Sequence, residues 1–246
     1  MTGYAESALV RGITFLAEKQ AAIANNLANV DTTSFKRRFA VATESTQDFQ
    51  SMLEGQMQTI TYSEKSDMGR GIVRETGNTL DVALDGPFWM RVQNAQGANY
   101  YTRNGQLQIS GDGKLVTRDG LAVLDQNGAA IQIGTGGDAP SEITISPNGT
   151  VQDPITGQTW GPIAVVTLPD PDALTPIGKS LYIDTKNQRG TQAGDGVQQG
   201  FLEGSNVDSL QELVAMISVE RSFTATQKAL SGVGRLHENL IDNMLR

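Results

Sequence analysis

From Leu9 the apolar residues fall at Leu9, Ile13, Leu16, Ile23, Leu27 and Val30, the a and d positions of a heptad interrupted once by Gln20. A 3.5-residue repeat gives a narrow seam, as in a coiled coil, and not the broad apolar face of a globular helix. The spacing predicts a helix that stops at Asn29-Val30-Asp31-Thr32-Thr33-Ser34, a cluster of helix-ending and turn-forming residues. The other end of the chain mirrors it. Apolar residues recur at Leu210, Leu213 and Ile217, and again at Leu230, Val233, Leu240 and Met244, with Glu220, Thr224 and Gln227 on the seam between them. Ser205-Asn206 offers an N-cap, Ser209-Leu210-Gln211-Glu212 fits a capping box, and Asp208 suits the positive end of the helix dipole. Gly232 and Gly234 weaken this helix by about 1 kcal/mol each against alanine. Helices with such seams need partners, so both are expected to be disordered in the free chain and to order when seams meet.

Between the ends the grammar changes to strands. Over 76–184 the segments Leu80-Asp81-Val82-Ala83-Leu84, Gln106-Leu107-Gln108-Ile109 and Glu142-Ile143-Thr144-Ile145 alternate. Turn dipeptides divide them: Asp85-Gly86, Asn104-Gly105, Asp112-Gly113, Asp119-Gly120, Asn127-Gly128 and Asn148-Gly149. These are read as two-residue hairpin turns with positive φ. Residues 163–168 are expected to form a buried strand closed by Pro169-Asp170-Pro171-Asp172, whereas 41–74 reads as extended or loosely ordered. The fold expected is a mainly β central domain, sandwich-like or barrel-like, flanked by terminal α-helices that pair as a coiled-coil-type assembly domain. The boundaries are an N-terminal assembly helix over 1–35, a linking segment over 36–75, a β-rich outer domain over 76–190, a return linker over 191–205 and a C-terminal assembly helix over 206–246.

Composition narrows the partners. The 246 residues carry a net charge of -8, which offers no footprint for phosphate backbones and is repelled by an anionic membrane surface. Nucleic acid and membrane insertion are therefore not expected, and no stretch approaches the length of an apolar span. The absence of cysteine removes disulfides and thiolate chemistry. Met1 to Gln20 scatters Glu6, Arg11, Glu18 and Lys19 among its apolar residues, so no Sec-type signal peptide is expected.

Candidate chemistry is thin, and no catalytic, metal or cofactor site is expected. The lone His237 lies at a seam position with no second histidine, where a metal site wants several ligands. Gly134-Thr135-Gly136-Gly137 and Gly194-Asp195-Gly196 lack the Gly-Lys-Ser/Thr ending of a phosphate loop. Asp125 starts a calcium-like spacing that finds Gly136 where glutamate is needed, and Asn148-Gly149-Thr150 is a glycosylation pattern of little weight. Two readings of another class remain. A secreted cell-wall-acting enzyme would use Asp81 and Asp85 as a carboxylate pair. A glycan-binding module would stack sugars on Trp89, Trp160 and Tyr101. Neither accounts for the paired terminal helices.

The run Ala24-Asn25-Asn26-Leu27-Ala28-Asn29-Val30-Asp31-Thr32-Thr33-Ser34-Phe35-Lys36-Arg37 resembles the N-terminal signature of flagellar rod and hook proteins. Leu202-Glu203-Gly204-Ser205-Asn206-Val207-Asp208 through Met216-Ile217 and Glu220-Arg221 is similar to their C-terminal signature. Thr76-Gly77-Asn78-Thr79-Leu80-Asp81-Val82-Ala83-Leu84 and Tyr101-Thr102-Arg103-Asn104-Gly105 resemble the centre of their β domain. Ser34 stands where that family commonly has glycine. Within the family the likeness is closest to proximal rod members, because hook proteins are usually longer and distal rod proteins usually carry Gly-Phe-Phe where this chain has Gly86-Pro87-Phe88. The resemblance implies a non-enzymatic shaft subunit in the basal body that transmits torque to the hook. Its partners would be copies of itself, other axial proteins and the flagellar type III export apparatus. Assembly would run through Leu9, Ile13, Leu16, Ile23, Asn25, Asn26, Leu27, Ala28, Asn29, Val30, Phe35, Lys36 and Arg37 at one end. At the other it would use Glu203, Ser205, Asn206, Val207, Leu210, Leu213, Met216, Ile217, Glu220, Arg221, Leu230, Val233 and Leu240. Lys36 and Arg37 follow the negative end of the first helix dipole, and are expected to pair with acidic residues of an adjacent subunit.

Overall fold

The computed structural model describes residues 2–44, 60–134, 140 and 142–244. The chain forms two compact units, one of Met1–Val30, Arg37–Asp67 and Val207–Arg246, the other of Asp31–Lys36 and Met68–Asn206.

The first unit holds the two long helices, α1 (Thr2–Ala28) and α2 (Ser209–Met244), with a hairpin of β1 (Arg38–Glu44) and β2 (Ile60–Ser66). Part of the segment expected to be loosely ordered is thus a regular antiparallel ladder, pairing Arg38 with Ser66 through Glu44 with Ile60. Both α2 and β1 pack on α1, Phe15 stacks on Tyr62 at 5.7 Å, and the Tyr62 hydroxyl donates to the Arg11 carbonyl. The cap of α2 is Asp208, whose Oδ1 accepts from the backbone N–H groups of Leu210 (2.9 Å) and Gln211 (3.1 Å). Ser205-Asn206 lies one turn too early for that role, and Glu212 turns its carboxylate inward instead of closing a capping box.

The second unit is built on β-strands, with a 3-10 turn over Pro171–Ala173. Its largest sheet runs β14 (Leu174–Gly178), β15 (Leu181–Asp184), β6 (Asn99–Thr102), β5 (Phe88–Gln93), β9 (Ala122–Val123), β8 (Leu115–Thr117) and β7 (Leu107–Ile109). β13 (Val165–Thr167) also pairs with β5, along Phe88 to Met90, and with β16 (Thr191–Gln192). Three smaller sheets complete the unit: β10 (Thr144–Ile145) with β11 (Thr150–Gln152) and β12 (Thr159–Pro162), β17 (Val197–Gln199) with β4 (Val82–Leu84), and β18 (Phe201–Glu203) with β3 (Val73–Glu75). None of these sheets closes on itself, so the barrel-like reading is set aside for open sheets around a shared core. That core includes Val82, Leu84, Met90, Val92, Leu115, Ile131, Val151 and Ile163, and a second cluster gathers Trp89, Val166, Leu168, Leu174 and Tyr182. The segment read as a buried strand over 163–168 supplies both clusters.

The hairpin turns differ from the expected kind. In the turns starting at Asn94, Ser110, Thr117, Asp125 and Ser146, the glycine three residues on donates to the carbonyl of the first residue, whose own N–H donates to the carbonyl four residues on. Only the glycine takes positive φ, as at Gly128 (φ 85) and Gly149 (φ 83), while Asn127 and Asn148 stay at negative φ. These are three-residue turns with a glycine bulge, one residue longer than the two-residue form. Asn94, Ser110, Thr117 and Asp125 reinforce them, each side chain accepting from the N–H four residues on. Gly105 has a separate reason to be glycine, because a Cβ there would lie 1.7 Å from the Val82 carbonyl oxygen. Gly105→Ala is therefore expected to destabilise the chain by about 1–3 kcal/mol. Gly111→Ala, which meets open space, should change stability by less than about 0.5 kcal/mol, both read by urea denaturation.

Candidate functional site

The residues of the two terminal signatures gather into two buried polar clusters, one in each unit. In the β unit the centre is Glu203, fully buried at the end of β18. One carboxylate oxygen accepts from Lys36 Nζ (2.7 Å) and from the Gly71 N–H (2.9 Å), and the other accepts from Arg103 Nε (2.7 Å). Lys36 and Arg103 are buried as well, so two buried cations share the Glu203 carboxylate. Backbone dipoles take up the excess charge. Lys36 Nζ donates to the Gly69 carbonyl (2.6 Å), and the Arg103 guanidinium donates to the carbonyls of Leu84, Gly86 and Phe88. The guanidinium carbon also lies 5.8 Å from the centre of the Trp89 ring, within cation–π range. Burial pushes the Glu203 carboxyl up, but Arg103 and Lys36 together outweigh burial and hold it below its ordinary value.

Ser34 closes this cluster from the turn after α1. It is buried with φ 55, a left-handed conformation that suits glycine. The residue earns its place through its polar groups. The Ser34 N–H donates to the Glu203 carbonyl (2.8 Å), and its hydroxyl donates to the Arg103 carbonyl (2.8 Å). Asn206 N–H donates to the Phe35 carbonyl (3.3 Å), and Asn206 Nδ2 to the Gly69 carbonyl (3.1 Å).

In the helical unit the centre is Asn26, fully buried near the end of α1. Its carboxamide imitates a strand neighbour. Nδ2 donates to the Arg38 carbonyl (2.8 Å), and Oδ1 accepts from the Arg38 N–H (2.7 Å), which fixes the start of β1 against α1. Nδ2 also donates to Glu212 on α2 (3.3 Å), whose other carboxylate oxygen accepts from Arg37 Nε. Asn29 ends α1, with its N–H on the Asn26 carbonyl and its Nδ2 on the Asn25 carbonyl.

Lys36 and Arg37 were expected to meet acidic residues of an adjacent subunit. Both instead pair within the chain, with Glu203 and Glu212. The chain's own C-terminal segment returns to residues 34–38, an encounter that local periodicity cannot register.

The remaining assembly residues spread over three settings. Ile23, Phe35 and Val207 are buried, and Leu9, Ile13, Leu16, Leu27, Val30, Ser205, Met216, Leu230 and Val233 are half-buried. Asn25, Ala28, Leu210, Leu213, Ile217, Glu220 and Arg221 are exposed, and the Leu240 and His237 side chains lie outside the described set. On α2 the covered stripe is Glu212, Met216, Val219, Phe223, Thr226, Leu230 and Val233, also at heptad spacing. The expected seam through Leu210, Leu213 and Ile217 is a second stripe facing solvent. Sequence reasoning left out Arg103, Ser34 and Glu212 as site residues. A charge at 212 on a seven-residue repeat that is apolar at all its other positions but Thr226 was the available signal for the last.

The rival sites do not assemble. Trp89 is buried against Tyr182 and cannot present a stacking face. Asp81 is buried, whereas Asp85 is exposed and bound by Arg70 (2.6 Å). Among the described residues no group of His, Asp or Glu could hold a metal ion, and no helix is long and apolar enough to cross a membrane.

Glu203→Gln would remove the carboxylate charge that both Lys36 and Arg103 meet, so a loss of about 3–5 kcal/mol is expected in urea denaturation. Because the folded carboxyl sits below its ordinary 4.5, its contribution is complete above that pH and is lost as the pH falls through the lowered value. Wild-type stability should therefore drop below pH 4.5, and the variant should show a shallower fall. Ser34→Ala keeps the strained φ and loses the hydroxyl, for a cost of about 1–2 kcal/mol. Ser34→Gly trades the same hydrogen bonds for relief of strain and should lie within about 1 kcal/mol of wild type.

Comparison with known proteins agrees over most of the chain. The family model described as "Flagella basal body rod protein" matches residues 8–36, "Flagellar hook protein FlgE/F/G D1 domain" matches 83–153, and "Flagellar basal body rod FlgEFG protein C-terminal" matches 198–243. The chain is 31% identical to the flagellar basal-body rod protein FlgG of Bacillus subtilis, over 95% of this chain and 96% of that protein. It is 32% identical to FlgG of Agrobacterium fabrum, covering 85% and 87%, and 29% identical to FlgF of Caulobacter vibrioides, covering 90% of each. With both signatures joined to the β unit in the same order as in these relatives, the chain belongs to the flagellar basal-body rod protein family, structural axial subunits of the flagellum.

Proposed function

We propose that this chain is a proximal rod subunit, and that α1 and α2 join the same helices of neighbouring axial subunits in a coiled-coil-type assembly domain. The observation that carries the assembly reading is the second stripe of α2. Leu210, Leu213, Val214 and Ile217 are 70%, 44%, 61% and 52% exposed although they form an apolar row along a helix. Fully burying such side chains contributes roughly 1.5–3 kcal/mol each, a gain the isolated chain forgoes. A shaft made by packing seams needs no chemical step, so the subunit acts without catalysis or cofactor, and its passage to the rod is assigned to the flagellar type III export apparatus.

The proximal reading rests on Gly86-Pro87-Phe88 in place of Gly-Phe-Phe, and relatives named FlgF in Caulobacter vibrioides and Salmonella typhimurium, 29% and 28% identical, are compatible with it. Relatives named FlgG make the distal rod the second reading. Gold labelling of a tagged chain in isolated basal bodies separates the two. Label at the membrane end of the rod supports the proximal reading, and label at the hook end replaces it with the distal one.

Ile217→Asp tests the assembly surface. Since Ile217 is exposed in the free chain, its stability should move by less than about 0.5 kcal/mol, while motility and recovery of the chain in basal bodies should be lost. Normal swimming with this variant would remove the stripe from the assembly contact.

A further inference from the structure

We infer that Glu212 is the positioning residue that sets the register of α2 along α1, working through Asn26 and Arg37. This concerns contacts within one chain and stands whether the subunit is proximal or distal. Asn26 lies near the end of α1 and Glu212 near the start of α2, so the two helices run antiparallel. The covered stripe of α2 places Val219, Phe223, Leu230 and Val233 at heptad spacing, facing an α1 whose seam repeats at the same interval. Apolar residues repeated in this way are a poor ruler. A slide of seven residues exchanges one aliphatic contact for another and preserves most of the burial.

The Glu212 contact does not survive such a slide. Glu212 is 1% exposed and Asn26 is 0% exposed, and each relies on the other for a hydrogen bond. Displaced by one heptad, Glu212 would be level with residue 19 or 33 of the chain, away from the Asn26 amide and the Arg37 guanidinium. The Glu212 carboxylate would then lose its bonds to Asn26 and Arg37, and one Asn26 amide hydrogen would lose its acceptor, a penalty confined to the wrong alignments. Asn26 is also bonded twice to the Arg38 backbone, so the same contact ties α2 to the beginning of β1. Arg37 is 39% exposed and can hydrate if Glu212 is removed, so loss of the carboxylate loosens the alignment without stranding a buried cation. A single polar position that specifies alignment in an apolar seam is the best-attested use of such a group.

The chain has no cysteine, so introduced pairs report without background. Ile23→Cys would be combined in turn with Ser209→Cys, Met216→Cys and Phe223→Cys in the purified full-length chain, then oxidised with copper phenanthroline. The antiparallel geometry puts residue 23 level with residue 216, with 209 and 223 one heptad to either side. In the wild-type background the 23–216 pair should dominate. Adding Glu212→Leu should lower its share by roughly twofold or more, with the 209 and 223 pairs rising, while circular dichroism keeps its helical signal. Glu212→Gln retains an acceptor for Asn26 and should restore the single register. The proposal is overturned if Glu212→Leu leaves the 23–216 pair dominant, since apolar packing would then set the register. It is also overturned if the wild type already cross-links through all three pairs. Loss of every cross-link together with helicity would equally overturn it, making Glu212 a requirement for pairing and not for alignment.

Discussion

Glu203 holds the β unit to the turn that follows the first helix. Its carboxylate meets Lys36 from one end of the sequence and Arg103 from the middle, and its backbone carbonyl receives Ser34. Taking three charges out of water is expensive, and the attraction between them offsets that cost only when every remaining donor is satisfied. Here the satisfaction is thorough. Carbonyls of Leu84, Gly86, Phe88 and Gly69 surround the two cations, so the close of β4 and the start of β5 are shaped around the guanidinium. Gly71 completes the carboxylate, and a side chain at that position would strike the Gly204 carbonyl. An apolar core could supply comparable stability, but it would not demand these particular segments together.

The helical unit repeats this logic with weaker charge and tighter geometry. Asn26 uses both ends of its amide on Arg38 and its remaining proton on Glu212, so one short side chain joins a helix, a strand and a second helix. Asparagine is the residue that can do this. Aspartate lacks the donor and would face Glu212 with like charge, and glutamine is longer by one methylene in a fully buried position. The two signatures therefore have a common physical basis. The first supplies Asn26, Ser34, Lys36 and Arg37, the second supplies Glu203 and Glu212, and each half is incomplete without the other.

α2 presents two heptad stripes because its sequence is apolar on more than one side. One stripe is consumed by α1 and the other, through Leu210, Leu213, Val214 and Ile217, is left to solvent. On the assembly proposed above, the first stripe holds the chain together and the second joins its neighbours. The division between them is set by where Glu212 falls, since the stripe containing the carboxylate is the one that turns inward to Asn26.

Much of this was legible in the chain itself. Heptad spacing located both helices, alternation and glycine-containing turns located the β unit, and the terminal runs identified the family. What periodicity could not supply was which stripe of α2 faces α1, because Leu210-Leu213-Ile217 and Met216-Val219-Phe223 are equally good heptads. Nor could it supply the turn geometry, since asparagine before glycine suits both the two-residue turn and the longer bulged one, and only the strand register selects between them. The partners of Lys36 and Arg37 were hidden for the same reason: Glu203 and Glu212 lie 167 and 175 residues away along the chain. Sequence determines what is encoded within a few residues, namely helix, strand, turn and charge. Tertiary structure alone decides which distant charges share a buried site, because that pairing is fixed by the closure of the whole chain and by the cost of leaving any member unsatisfied.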